Sequence, residues 1–223
     1  MQKPIAVLFD IDGTLISTGG AGARSWRWAF NELHGIPADI GQFSDAGMTD
    51  PEVARRTFVS VIGHKPSGRE LAPLLAKYLS RLSHEVAVSE GYKVLEGVPQ
   101  LLPRLCGEGI LLGITTGAVE AAAQIKLARG KLNHYFCVGG YGSDSAVRAE
   151  LTRCAIERAA RVLGEPVDSS QVMVVGDTPL DVEAAHAAGA VALGVATGHF
   201  SRDDLQKAGA DHLLNSLAEP MPF

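Results

Sequence analysis

The chain has no run of basic residues, no apolar stretch long enough to cross a membrane, and no low-complexity tract. Lys and Arg number 20 against 25 Asp and Glu, for a net charge of −5. Without clustered positive charge there is no phosphate-tracking surface, which argues against a nucleic-acid partner. The lack of an apolar run of spanning length argues against a membrane one. Only three cysteines occur, Cys106, Cys137 and Cys154, far apart and odd in number. That excludes a disulfide framework and a thiolate zinc site, and predicts reduced, mostly buried thiols in a cytoplasmic protein. A secretory leader is not expected either, because Ile5–Phe9 is short and runs straight into two aspartates. The seven histidines are scattered without metal-ligand spacing and read as surface or satisfied core residues.

Against these absences, one stretch stands out: Ile5 to Leu15, IAVLFDIDGTL. A short apolar run without alternation predicts a strand buried on both faces of a parallel sheet. Open α/β sheets bind ligands at the carboxyl ends of such strands. Here that end carries Asp10 and Asp12, with Gly13 free to turn the backbone sharply. One carboxylate is placed to attack and hold a metal, the other to move protons at the reacting oxygen. An isolated Asp-x-Asp-Gly is also an ordinary turn.

Residues from about Thr18 to Glu90 read as helical, with no strand. After the flexible Thr18–Gly22, which lacks the Lys-Ser/Thr of a P-loop, a helix from about Ala23 to His34 places Trp26, Ala29, Phe30 and Leu33 on one face. A loop over 41–49 leads to Thr49-Asp50-Pro51, a good N-cap followed by proline at the first helical position. Met48, Thr49 and Asp50 are also candidates to face a ligand. A longer helix spans about Glu70 to Val88. From Val94 the pattern changes to short apolar strands (110–116, near 136–138, 171–175, 191–195, 212–214) alternating with helices (98–106, 119–127, 150–163, 180–188, and one from Asp203). Alternation of this kind predicts a doubly wound parallel sheet. Because its first strand is Ile5–Phe9, the helical block is an insertion into one α/β domain. The expected division is a core of residues 1–16 and 93–223, and a cap of 17–92.

Two further strand ends supply partners for the first. Gln171–Val175 runs into Gly176-Asp177-Thr178-Pro179-Leu180-Asp181, delivering two more acids. Asp177 beside Asp10 offers hard oxygen ligands for Mg²⁺; Asp181 either joins them or caps the helix that follows. Leu111–Thr116 ends in Thr116-Gly117, a hydroxyl and free N–H groups able to hold phosphate oxygens, or simply a turn. Thr115 points to the opposite side of its strand.

Together these runs resemble the motifs of the haloacid dehalogenase-like hydrolase superfamily, in its phosphoglycolate phosphatase and β-phosphoglucomutase-like branch. The resemblance rests on Asp10–Leu15, Thr115–Gly117 and Gly176–Asp181 in order, with a helical block between the first two. It implies a Rossmann-like core with an inserted α-helical cap, and a phosphatase acting on a small phosphorylated metabolite. Asp10 would be the nucleophile that becomes an aspartyl-phosphate, and Asp12 the general acid and base. Mg²⁺ would be held by the Asp10 carboxylate, the Asp12 backbone carbonyl and Asp177, with Asp181 close by or acting through water. Phosphate would be held by Gly13, Thr116, Gly117 and Arg148.

One motif departs from the pattern. The family usually places a lysine between its second and fourth motifs. Here Lys126 and Lys131 fall too early, on or at the end of the helix after Thr116, whereas Arg148 stands in the better place. An arginine carries the same charge and a fork suited to phosphate. Asp12 separates this chain from the founding dehalogenases, which carry Tyr there. A phosphomutase of the β-phosphoglucomutase type and a non-catalytic Mg²⁺- and phosphate-binding relative are the alternatives; a phosphonatase would need a cap lysine, for which Lys65 and Lys77 show no special setting. A receiver-type domain orders its acids differently. Arg24, Thr49, Asp50 and Arg55 are candidate cap contacts, and a monomer or homodimer is expected.

Overall fold

In the computed structural model, which describes residues 2–43 and 46–223, six strands form one parallel sheet. They are β1 (Ala6–Phe9), β4 (Leu111–Thr116), β5 (Val138–Tyr141), β6 (Val172–Gly176), β7 (Val191–Val195) and β8 (His212–Leu214), in the order β5-β4-β1-β6-β7-β8. Ala6 and Phe9 pair with Leu111 and Ile114 on one side and with Val172 and Val175 on the other. Every residue of β1 is fully buried. The alternation of a strand's side chains sends Val7 and Phe9 to one face, with α4 (Val98–Gly107) and α5 (Glu120–Arg129). Ala6 and Leu8 meet α6 (Arg148–Leu163), α7 (Pro179–Ala187) and α8 (Arg202–Lys207) on the other. Helices on both faces explain why these strands read as unbroken apolar runs. The chain builds β4 and β5 to one side of β1, then crosses to place β6 on its other side. The crevice between β1 and β6 is therefore the sheet's topological switch point.

Between β1 and α4 lie three helices, α1 (Ala21–His34), α2 (Asp50–Ile62) and α3 (Gly68–Val88). Their apolar faces meet around Trp26 and Tyr78, stacked with ring centroids 4.0 Å apart and 7° between planes. Phe30, Phe58, Leu74 and Leu82 complete this packing and are continuous with the core on the α4–α5 face of the sheet. Leu33 lies in the last turn, past that contact, and is exposed, unlike the rest of the expected stripe. Helix α1 starts two residues earlier than its pattern suggests, at the left-handed Gly20 (φ 79°). Ser44 and Asp45, in the loop expected over 41–49, lie outside the described residues.

The block from about Thr18 to Glu90 is free of strands beyond Thr18 itself among the described residues; just outside it lies a short antiparallel ribbon that the sequence did not suggest, β2 (Ile16–Thr18) with β3 (Tyr92–Val94). The chain leaves the core on β2 and returns on β3. Where the two segments cross, a Cβ on Gly19 would sit 2.6 Å from the Gly91 backbone, so only glycine allows the approach. Side chains then tie the crossing. Ser89 Oγ donates to the Thr18 carbonyl (2.8 Å), Arg24 to the Gly19 carbonyl (2.7 Å) and to Glu85 (2.7 Å), and Arg129 to the Val86 and Ser89 carbonyls.

Two other expectations change. Strand β5 starts at Val138, not Phe136, and continues through Gly139-Gly140, which carry no apolar signal. The cysteines are unpaired, as expected, but Cys106 and Cys137 are exposed and Cys154 is only partly buried. They stand on the outward side of α4, at the start of edge strand β5, and on α6, away from the packed faces. Among the described residues no helix is long and apolar enough to cross a membrane.

Truncating a fully packed aromatic costs its transfer energy plus a cavity. Trp26→Ala should lower the unfolding free energy by about 3–5 kcal/mol, read as a lower midpoint in urea titration followed by circular dichroism.

Candidate active site

Three strand ends deliver the site. The Asp10 N–H still bonds to the Val175 carbonyl (2.9 Å), so the ladder fixes its position beside β6. The chain then folds back on itself, with the Ile16 N–H on the Ile11 carbonyl (3.0 Å) and the Gly13 N–H on the Ile16 carbonyl (2.8 Å). Gly13 is left-handed (φ 86°), and a Cβ there would lie 2.3 Å from Asp177 Oδ2. Both constraints demand glycine. Thr14 donates its hydroxyl to Asp177 (3.0 Å), and Thr197 donates to the Gly13 carbonyl (2.6 Å), locking the loop against the end of β6 and the segment after β7.

On β4, Thr115 turns away and bonds Thr152 of α6 (3.1 Å), while Thr116 faces the crevice and accepts from the Ala118 N–H (3.3 Å). At the end of β6, Asp181 caps α7: one oxygen accepts from the Thr178 N–H (3.0 Å) and hydroxyl (2.7 Å). Its other oxygen meets Arg148. Arg148 is the first residue of α6. Its buried guanidinium contacts Asp10 (3.5 Å) and Asp181, and donates to the Gly47 carbonyl (2.8 Å) of the insertion. The preceding Asp144 is engaged elsewhere, paired with Arg158.

Asp10, Asp177 and Asp181 are all buried, with carboxylate oxygens within 4.8 Å of one another. Burial, reinforced by the Asp181 charge and opposed by Arg148, pushes Asp10 up to about 7. Burial and the charges of Asp10 and Asp181 push Asp177 up to about 8. One guanidinium does not neutralise three acids, so the cluster has a standing deficit of positive charge. Three hard oxygen donors gathered at one point suit a divalent cation. The backbone also makes room for them: a Cβ on Gly198 would fall 1.7 Å from Asp177 Oδ2. The residues fit such an ion.

The Asp12 side chain stands outside this cluster. It accepts a 2.5 Å bond from Nζ of Lys126, a buried residue of α5. Sequence reasoning set Lys126 aside as too early in the chain. The signal was its helical phase: Ala122, Ala123, Lys126 and Leu127 form the buried face of α5, so the lysine must point inward. Burial acts against its charge, yet Asp12, Tyr78 and Asp50 outweigh burial and raise its pKa.

Asp50 also departs from expectation. No side chain caps α2 at Thr49. Instead the Asp50 carboxylate reaches the core and accepts from the Val119 N–H at the start of α5 (2.9 Å), and its own N–H bonds the Gly117 carbonyl (2.7 Å). Burial pushes Asp50 up, while Lys126 and the Val119 bond oppose this. Of the other candidate cap contacts, Met48 lines the cavity, Thr49 is buried beside it, Arg24 belongs to the linker crossing, and Arg55 pairs with Glu52 (2.6 Å). The cavity enclosed between core and insertion is about 450 Å³, with Asp10, Asp12, Thr116, Lys126, Arg148 and Asp177 on its walls.

The family model for haloacid dehalogenase-like hydrolases matches residues 6–189, and the chain belongs to that family. It is 29% identical over 227 residues to a phosphoglycolate phosphatase of Pseudomonas fluorescens, covering 99% of this chain and 80% of that one. It is also 29% identical over 214 residues to the validoxylamine A 7'-phosphate phosphatase of Streptomyces hygroscopicus subsp. limoneus, covering 95% and 93%. Among solved structures, CbbY from Rhodobacter sphaeroides in complex with phosphate superposes with a TM-score of 0.74, at 21% identity, over 97% of this chain and 96% of that one.

If the three acids are a cation site, adding a divalent cation at about 100 times its Kd stabilises the fold by about 2.7 kcal/mol. A higher thermal midpoint in the wild type, and no such shift in Asp177→Asn, is the expected result.

Proposed function

We propose that this hydrolase is a cytoplasmic Mg²⁺-dependent phosphomonoester phosphatase acting on a small phosphorylated metabolite through an aspartyl-phosphate, with residues 17–92 as its cap and 1–16 with 93–223 as its core. The observation that carries the proposal is the division of labour between two carboxylates of one loop. Asp10 faces the acid cluster and Arg148, whereas Asp12 turns away to a separate cation. A carboxylate beside a buried guanidinium and two acids suited to hold a cation is placed to be the nucleophile, and one outside that cluster is placed to handle protons. Unpaired thiols support the reducing compartment. The two curated relatives are named as phosphatases of different phosphate esters. The shared feature is the phosphoryl group, so the alcohol it leaves is set by the cavity wall.

In the first step an Asp10 oxygen forms a bond to phosphorus as the bond from phosphorus to the ester oxygen breaks, and the Asp12 carboxyl gives its proton to that oxygen. In the second, water attacks the aspartyl-phosphate and yields a proton to Asp12, releasing phosphate and restoring Asp10. Arg148, the Thr116 hydroxyl and the backbone N–H groups of Gly13 and Gly117 would bear the charge of the transferring oxygens. Mg²⁺, held by Asp10, Asp177 and Asp181 with the Asp12 backbone carbonyl, would offset the remaining negative charge when bound. Asp50 and Gly47, reaching from the insertion to the core, support the exclusion of bulk water from the cavity. Asp12 disfavours a dehalogenase, because a halide leaves without a proton.

Phosphate release should be measured on p-nitrophenyl phosphate and a panel of alkyl and sugar phosphates, with Mg²⁺ and with EDTA. Mg²⁺-dependent turnover is expected, abolished in Asp10→Asn and lowered roughly 10²–10⁴-fold in Asp12→Asn. A folded, Mg²⁺-binding protein that turns over nothing would sink the phosphatase reading.

A further inference from the structure

Lys126 has no role in the chemistry above, yet it is a buried cation bonded to one of the two loop aspartates. A lysine side chain is buried on a core helix, its Nζ is 2.5 Å from Asp12, and it sits on the cavity wall. Around it stand two residues from the insertion. Asp50 lines the same cavity and is anchored on the first turn of α5, seven residues before the lysine. Tyr78, wholly buried and stacked on Trp26, lies close enough to Asp50 and Lys126 for its phenol to act electrostatically on both. The backbone is braced as well: the Tyr92 hydroxyl, from the returning linker strand, donates to the Lys126 carbonyl (2.9 Å).

Resting on the phosphatase reading, we propose that Lys126 is the positioning residue of Asp12, holding its carboxylate at the leaving-group side of the cavity, and that Asp50 of the insertion, on the same cavity wall, holds the lysine in turn.

Several observations separate this from a phosphate-binding role. Asp10, the phosphate acceptor, has its own cation in Arg148. Lys126 bonds to the second aspartate, whose side chain is 44% exposed and needs a partner to hold one direction. A free carboxylate on a Gly-flanked loop samples several rotamers, whereas proton transfer requires the acid within hydrogen-bond reach of the ester oxygen. A charge-assisted bond from a buried lysine selects one orientation. Three elements that meet only when the insertion packs on the core provide the setting: α5, the start of α2 and the middle of α3. The acid is therefore positioned by the assembled site and not by its own loop alone.

Such a role predicts a loss that depends on the leaving group. An alkoxide needs a proton as it departs, and 2,4-dinitrophenolate does not. kcat/KM reports the first bond cleavage. For Lys126→Met, near the lysine in shape, kcat/KM should fall roughly 10²-fold or more on the best alkyl phosphate of the panel and less than about threefold on 2,4-dinitrophenyl phosphate. Lys126→Arg should recover most of the alkyl activity. Asp50→Asn, which can still accept from Val119, should show a smaller loss with the same selectivity, and it stands in if Lys126→Met fails to fold. Equal losses on both esters, or an unchanged alkyl rate, would overturn the assignment of Lys126 while leaving the phosphatase reading intact. A wild-type protein inactive on both esters would overturn the two together.

Discussion

Three carboxylates share one water-poor crevice, and most of the local structure follows from keeping them there. Acids this close repel, and burial adds to the repulsion in raising the pKa of both Asp10 and Asp177. The sheet makes the arrangement unavoidable: β1 and β6 are neighbours in register, and each ends in an aspartate. Glycines at 13 and 198 leave room for the Asp177 carboxylate, while Thr14 and the cap of α7 satisfy its oxygens and those of Asp181. Arg148 alone answers the charge from within the chain. A bidentate fork that cannot lose its proton is suited to that place, where a lysine could deprotonate under the same desolvation.

The cavity is divided electrostatically. On one side Arg148 binds Asp10 and Asp181; on the other Lys126 binds Asp12 beside Asp50. The helical insertion contacts both sides. Its Gly47 carbonyl takes a bond from the guanidinium, and Asp50 bridges to the turn between β4 and α5, its N–H donating to the Gly117 carbonyl and its carboxylate accepting from the Val119 N–H. Those bonds involve buried polar groups, so separating insertion and core without water entering would leave donors and acceptors unmatched. The contact between the two parts thus includes the residues that line the reacting space, beside the apolar packing around Trp26, Phe30 and Tyr78 that shapes the insertion and runs on into the core.

What was legible in the sequence tracks how locally each feature is encoded. Strands buried on both faces announce themselves as apolar runs, and the acids at their ends follow in the next residue, so Asp10, Asp177 and the choice of Thr116 over Thr115 could be read along the chain. The pairing of β2 with β3 could not. Three residues on each side, far apart in the chain and bordered by glycines, carry no periodicity. Lys126 was missed for a different reason. It was weighed by distance from a motif, although its spacing from Ala122 and Ala123 already put it on the packed face of a helix. Asp50 was read as a cap for its own helix, which is what local chemistry favours. Its real partner is the N-terminus of another helix, 69 residues on, and only tertiary structure brings that within reach. The cysteines show the limit of composition, since an odd, scattered set says that thiols are free without saying which face they occupy.

The central strand is also the first one made. Its two neighbours, β4 and β6, begin at Leu111 and Val172, so β1 emerges more than a hundred residues ahead of any partner for its backbone. During synthesis an uncovered apolar strand ending in two aspartates must wait while the whole helical insertion, whose contacts are short in sequence, is completed behind it. Local contacts form fastest. The insertion can therefore consolidate as a unit on the growing chain, and the reactive loop acquires its shape last, when β6 slides in beside β1 and brings the third strand end with it.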